Sequence, residues 1–210
     1  AFATHFKGML LTDSDMATDT KFDLIKKELR DIARTQRAAL GSSTRGLHAK
    51  AAAALFAEGI DLPKDAIVAA YWPIRDEIDS KPLLIHLMDT LRQTVALPVV
   101  MGDEVPLTFR QWESDAPLFE AGFGALAPPE TAPVVVPDMI IIPLLAYDTH
   151  GTRLGYGRGY YDRTIAAMEK KPIIVGYAFS AQELSDIPRE DHDYPLDYLI
   201  TEVGVRRFVS

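Results

Sequence analysis

Phe22, Ile25, Leu29, Ile32 and Ala33 recur at helical spacing through residues 21–40, which predicts an amphipathic helix that stops at Gly41. A second, alanine-rich helix is expected over 44–58, ending near Gly59. The period then changes. AIVAAYW (66–72), bracketed by Pro63 and Pro73, reads as a buried strand. KPLLIHLMDTL (81–91) reads as a helix, and TVALPVV (94–100) as the next strand. PLTFRQW (106–112) alternates like a strand with one wet face. Residues 113–137 carry five prolines and read as a long loop or lid. MIIIPLL (139–145) is the strongest buried-strand pattern in the chain. A helix over Tyr160–Lys170, a strand over 172–179 and a last strand over 197–201 complete the series.

Strands alternating with helices predict an α/β fold whose sheet is packed on both faces. In such sheets ligands bind beyond the carboxyl ends of the strands. The segment after strand 139–145 is therefore where a site is expected. Residues 1–20, which begin without Met, are read as a loosely ordered extension, and residues 21–210 as one domain.

Composition narrows the function classes. With 48% hydrophobic residues the chain can bury a proper core. No apolar run approaches the length of about 20 residues needed to span a bilayer. The N-terminal stretch lacks the basic start and apolar run of a secretory signal. Cysteine is absent, which excludes disulfides, thiolate nucleophiles and thiolate metal sites and fits a cytoplasmic protein. A net charge of −8 argues against nucleic acid as a main partner.

The most informative stretch is TRLGYGRGYYDR (152–163). Gly155, Gly157 and Gly159 alternate with other residues, among Arg153, Arg158, Arg163 and Asp162. Backbone amides in such a loop can form an anion-binding concavity. A helix beginning at about Gly159 would aim its N-terminal amides at the same place. Arginines supply a fork suited to phosphate, and a lone Asp would most naturally hold Mg²⁺ against those phosphates. Neither the Walker A pattern nor the dinucleotide fingerprint is present. The plainer reading is a tight strand-to-helix connection, and the arginines and Asp162 weigh against it.

Three further segments bear on this site. In 21–37, six cations face three acids, a local excess of +3. Lys26, Arg30, Arg34 and Arg37 share one helical face; the face is either solvated or turned toward phosphate. In YWPIRDEIDS (71–80), Glu77 could accept hydrogen bonds from an amino-substituted heterocycle and Trp72 could pack on its ring. Turn chemistry around Pro73 is the simpler account. In IPREDHDYPLD (187–197), one of Glu190, Asp191, Asp193 and Asp197 could join Asp162 around Mg²⁺, although most acids in such a chain are merely solvated. His192 alone is more often a surface or core residue than a metal ligand.

RLGYGRGYYDR, preceded by PDMIIIPLLAYDTHG, resembles the signature region of the 5-formyltetrahydrofolate cyclo-ligase (5,10-methenyltetrahydrofolate synthetase) family. KKELR (26–30), DEIDS (76–80), Leu97-Pro98, Gln182 and IPREDHDYPLDYLITE follow in the family's order, so the resemblance covers most of 21–208. It implies a three-layer α/β/α sandwich with a mostly parallel sheet, similar to the NagB/RpiA/CoA-transferase group. It implies an ATP- and Mg²⁺-dependent enzyme that converts 5-formyltetrahydrofolate to 5,10-methenyltetrahydrofolate, releasing ADP and phosphate. In the mechanism usually proposed for that family, the formyl oxygen attacks the γ-phosphate, N10 closes the ring and phosphate leaves.

By position, the resemblance implies ATP contacts at Lys26, Lys27 and Arg30, and from Arg153 through Gly155, Tyr156, Gly157, Arg158, Gly159 and Tyr160 to Tyr161. Tyr156, Arg158 and Tyr160 are shared with the substrate, which Glu77 and Trp72 also contact. Asp162 and Asp193 match magnesium ligands, and Arg158 and Asp162 are the expected catalytic pair. A glutamate that many relatives carry is Ala127 here, so its role does not transfer. A monomer or weak homodimer is expected. A different small-molecule kinase or ligase on the same scaffold, or a non-catalytic binding module, remain the alternatives; Asp162 together with Arg158 argues against the second.

Overall fold

A computed structural model describes residues 18–122 and 124–208. Helix α1 spans Thr18–Ala38 and α2 spans Ser42–Gly59. Strand β1 (Ile67–Ala69) leads to α3 (Lys81–Ile85), which widens into a π-helical turn over His86–Thr90 before β2 (Thr94–Val99). Strand β3 (Thr108–Gln111) follows, then the short strands β4 (Phe119–Glu120), β5 (Leu126–Ala127) and β6 (Val134–Val135). Strand β7 (Met139–Pro143) precedes a small hairpin of β8 (Ala146–Tyr147) and β9 (Arg153–Leu154). Helix α4 (Tyr160–Ala167), β10 (Ile173–Tyr177), β11 (Tyr198–Thr201) and β12 (Gly204–Arg207) end the series.

Eight strands form one mixed sheet in the order β12-β11-β10-β7-β1-β2-β3-β6. The five central strands, β11 to β2, run parallel, and β12 and β3 pair antiparallel to its flanks. Side-chain alternation fills both faces. Met139 and Ile141 of β7 join Val68, Val95, Leu97 and Val175 beneath α2 and α3. Ile140 and Ile142 join Ala69, Ala96, Ile174 and Leu199 beneath Ile165 of α4. The all-apolar run in β7 is what a strand covered on both faces requires.

From β1 the chain crosses through α3 to β2, whereas from β7 it crosses through α4, on the opposite face, to β10. The strand order thus reverses between β1 and β7. That is the switch point at which two crossover loops part and leave a crevice at the carboxyl ends of the strands. Helix α1 closes this end: Leu29 and Ala33 pack on Leu145, Ala146, Leu154 and Ile187 around the β8–β9 hairpin.

The α/β class and every major element agree with the expectation, with four corrections. First, α1 begins at Thr18 and crosses the expected boundary at residue 20, while the rest of that extension lies outside the described residues. Its packed face is Lys26, Leu29, Ala33 and Arg37, leaving Ile32 45% exposed, because the helix lies on a polar cavity as well as on a core. Second, helix 81–91 changes to π winding, with Leu91 N–H donating to His86 O at 3.1 Å. Third, 113–137 is not one loop: β4 and β5 pair with each other, and β6, held between Pro133 and Pro137, extends the sheet edge. Fourth, the spacer before the glycine segment is the β8–β9 hairpin. The buried Asp148 carboxylate builds its turn by accepting from His150 N–H and Thr152 N–H, each at 2.9 Å.

Candidate active site

The crevice at the switch point is a cavity of about 960 Å³, at the upper end of the range for small-molecule sites. One wall is the segment after β1, with Tyr71, Trp72 and Glu77; opposite it runs the glycine segment from Arg153 to Arg163. Lys26, Arg30 and Arg34 of α1, and Glu190, Asp193 and Tyr194 of the tail, close one end. Val100, Glu104 and Leu107 after β2, with Ala121, Gly122, Ala125 and Leu126 of the β4–β5 hairpin, form the rim.

The glycine segment owes its shape to two left-handed residues. Gly159, φ +64°, caps α4, and Gly157 has φ +94°. A Cβ on Gly157 would sit 3.2 Å from the Arg30 guanidinium carbon, so the position both bends the chain and admits Arg30. Arg30 Nε donates to Gly155 O at 3.0 Å, tying α1 to the loop. Arg163 donates to Arg158 O at 2.6 Å, which fixes the loop from the α4 side. Arg158 lines the cavity with its side chain 53% exposed and 3.3 Å from Asp103, while Tyr160 donates to the same carboxylate at 3.4 Å.

Two charge clamps hold the far end. Lys26 Nζ donates to Glu190 at 2.5 Å and to Asp193 at 2.7 Å. Burial works against the Lys26 charge, but its bonds to Asp193 and Glu190 more than offset this and raise its pKa. Asp193 also loses hydration on burial, yet it accepts from Glu190 N–H as well as from Lys26, and its carboxyl falls below the usual range. Asp162 accepts from Arg153 and, at 3.1 Å, from Tyr194 N–H.

At the other end, Glu77 is buried. One of its oxygens accepts from Ile74 N–H at 2.9 Å and the other from the Tyr156 hydroxyl. Burial raises its pKa, against the pull of Tyr156, Ile74 N–H and Arg37. Burial also pushes the Tyr156 hydroxyl well up, so it remains a protonated donor. Trp72 is half-buried and meets Trp112 edge-on, ring centroids 5.6 Å apart, while Lys81 Nζ lies 5.5 Å from its own ring centre.

The expected site residues therefore converge. Lys26, Arg30, Trp72, Glu77, the glycine segment from Arg153 to Tyr161, Asp162 and Asp193 all line one cavity. Lys27 does not line it and is exposed, because it sits one residue off the buried Lys26 position, on the outer face of α1. Ala127 is buried in β5. Arg37, the last member of the basic stripe, was given no site role from sequence and is neither solvated nor turned to the phosphate end: it is 3% exposed and bonded to Asp76 and Tyr156. Sequence reasoning also missed Asp103, since nothing in its local pattern sets it apart from any surface acid.

The 5-formyltetrahydrofolate cyclo-ligase family model matches residues 24–202, nearly the whole of this architecture. The chain belongs to the 5-formyltetrahydrofolate cyclo-ligase family. Among curated members, it is similar to the 5-formyltetrahydrofolate cyclo-ligase of Haemophilus influenzae, 34% identical over 61% of this chain and 72% of that protein. The cyclo-ligase of Mycolicibacterium smegmatis is 34% identical over 64% and 72%. An NMR structure of Aquifex aeolicus 5,10-methenyltetrahydrofolate synthetase matches with a TM-score of 0.76 at 32% identity, covering 89% of this chain and 94% of that one. The Mycoplasma pneumoniae synthetase, with a TM-score of 0.67 and 23% identity, repeats the fold.

Proposed function

We propose that this cyclo-ligase family chain converts 5-formyltetrahydrofolate to 5,10-methenyltetrahydrofolate with release of ADP and phosphate, in the cavity at the switch point. One observation carries the reading: a single cavity joins a basic helix face and a glycine loop to a buried, hydrogen-bonded carboxylate flanked by a tryptophan. The first pair suits a nucleotide triphosphate. The second suits the amino-substituted ring of a pterin, with N–H donors for Glu77 and a π face for Trp72.

In this reading the ATP phosphates lie along the glycine loop, near Lys26, Arg30 and the α4 N-terminus. The formyl oxygen bonds to the γ-phosphorus as the bond to ADP breaks. N10 then bonds to the activated formyl carbon, loses its proton, and phosphate departs with the former formyl oxygen. Arg158 balances charge developing on the transferred group, and the loop amides hold its remaining oxygens. No side chain is required as a covalent nucleophile.

Mg²⁺ is implied by the family. Among the described residues, no three or more His, Asp or Glu side chains cluster as a metal-binding group. Asp162 and Asp193 nonetheless fit the way Mg²⁺ is commonly held in phosphoryl-transfer sites, by one or two carboxylates together with substrate phosphates. When bound there, it would neutralise phosphate charge. We read the architecture as NagB/RpiA/CoA-transferase-like, residues 21–210 as one catalytic domain, and the working form as a cytoplasmic monomer or weak homodimer. No described helix is long and apolar enough to cross a membrane.

Purified chain with 5-formyltetrahydrofolate, ATP and Mg²⁺ should generate the methenyl chromophore and stoichiometric ADP, and omission of either ATP or Mg²⁺ should abolish both. Folded protein that gives no chromophore would refute the reading. ADP release with a different acceptor from a substrate panel would point to another kinase or ligase on this scaffold.

A further inference from the structure

Arg37 has no place in the chemistry proposed above, yet it is among the most buried charges in the molecule. It lies three helical turns beyond Lys26 on α1, about 16 Å along the axis. It stands behind the cavity wall, away from the Lys26 clamp, and reaches the cavity through its partner Tyr156. One terminal nitrogen donates to the Tyr156 hydroxyl at 2.7 Å and lies 3.5 Å from Leu144 O; the other donates to Asp76 at 2.7 Å. Its guanidinium carbon stands 5.6 Å from the Tyr156 ring centre.

The direction of these bonds is fixed by chemistry. A guanidinium can only donate. The Tyr156 oxygen must therefore accept from Arg37, which leaves its single proton to point at Glu77. Glu77 is then an acceptor at both oxygens, from Tyr156 and from Ile74 N–H, with lone pairs to spare for a ligand. Without Arg37, the hydroxyl can turn away, and the adjacent acids Asp76 and Glu77 lose their nearest counter-charge.

We propose that Arg37, acting through Tyr156 and Asp76, is a positioning residue that holds the Glu77 carboxylate as an ionised acceptor for N–H donors of the folate ring. The assignment rests on Glu77 being a folate contact. It makes α1 a bracket across both substrates, with Lys26 and Arg30 at the phosphates and Arg37 at the heterocycle. The ionisable groups around Glu77 are Arg37 from α1, Asp76 and Tyr71 from its own segment, and Tyr156 and Tyr161 from across the cavity. Arg45 faces Asp76 from α2.

The test is steady-state kinetics on Arg37→Leu, Arg37→Lys, Tyr156→Phe and Glu77→Gln, with folate and ATP varied separately across pH. Arg37→Leu and Tyr156→Phe should each raise the folate KM about tenfold, the scale of a lost charge-assisted hydrogen bond, and Arg37→Leu should leave the ATP KM unchanged. In both, the rise in folate KM on acidification should begin at a higher pH than in the parent, because Glu77 is then easier to protonate. Arg37→Lys, which keeps the charge but has one donor nitrogen in place of the two-pronged fork, should recover part of the affinity. The double variant Arg37→Leu/Tyr156→Phe should cost no more than either single change. Should Arg37→Leu fail to fold, Arg37→Gln, which keeps a donor and loses the charge, decides by the same two readouts. An unchanged folate KM and pH profile in folded variants would overturn the inference if Glu77→Gln still raises the folate KM. If Glu77→Gln leaves it unchanged as well, the reading of Glu77 itself fails.

Discussion

Replacing Lys26 by Met tests the phosphate end of the cavity through stability and kinetics together. The change removes the ammonium that bridges Glu190 and Asp193 while filling much of the same volume. Side-chain exposures of 9%, 18% and 20% put the clamp in a largely shielded setting. Two charged hydrogen bonds there are worth about 1.5–3 kcal/mol each before screening. Burying the Met side chain returns about 1 kcal/mol. The net loss is about 2 kcal/mol, and for a chain of this size it lowers Tm by about 4–8 °C. The pH dependence gives the sharper readout. Asp193 has a folded pKa below its usual 3.8, so its contribution is present above that value and is lost as pH falls through the folded pKa. Lys26 has a folded pKa above its usual 10.5, so its contribution is present below that value and is lost as pH rises through the folded pKa. The Tm difference between parent and Lys26→Met should therefore be widest between about pH 5 and 10 and close at both extremes. Thermal melts followed by circular dichroism across this range measure it. Equal melting temperatures at pH 7, or a gap that ignores pH, would refute the account of the clamp. The ATP KM of the same variant should rise while the folate KM stays level.

Two further changes probe the loop. Arg158→Ala should lower kcat by about 10²–10³ with smaller effects on either KM, as expected for a partner of transition-state charge; because the side chain is about half exposed, Tm should move little. Gly157→Ala forces a side chain into φ +94° and against Arg30, which costs about 1–2 kcal/mol in strain alone; the ATP KM should rise about tenfold, and an unchanged value would show that Arg30 does not depend on this close approach.

The elements whose patterns reflect a single environment were legible in the sequence. Strand β7 is apolar at every step because both of its faces are covered, and the alanine-rich α2 rests on one layer. The glycine loop was legible because positive φ and close approach leave few residue choices. Helix α1 was legible as a helix but not in its orientation. Its packed face mixes Leu29 and Ala33 with Lys26 and Arg37, so hydrophobic spacing alone put Ile32 inside. Arg37 was visible as part of a stripe, but its partners Asp76 and Tyr156 are 39 and 119 residues away. Nothing local could join them. The β8–β9 hairpin did leave a signal, Asp148 followed by Gly151, but two-residue strands carry too little period to be read beside a buried strand.

Under the proposed function, the charge pairs explain how an acidic chain holds an anionic nucleotide. Seven cationic and six acidic side chains line the cavity, against an overall net charge of −8. Three of these cations pair with carboxylates beside them: Lys26 with Glu190 and Asp193, Arg153 with Asp162, and Arg158 with Asp103. The Lys26 and Arg153 pairs keep largely buried charges from standing alone, which would cost far more than the pairs return. They also leave the cavity with acids and bases side by side along one wall. A bare polyphosphate would meet both signs there and gain little. A polyphosphate carrying a divalent cation can offer a partner to each, its oxygens to Lys26 and Arg153 and its cation to Asp162 and Asp193. Under the function proposed above, the arrangement favours the metal complex of the nucleotide over the free anion, and α1, with Lys26 toward the phosphates and Arg37 behind Tyr156, sets the distance between that complex and the folate whose formyl group is to be activated.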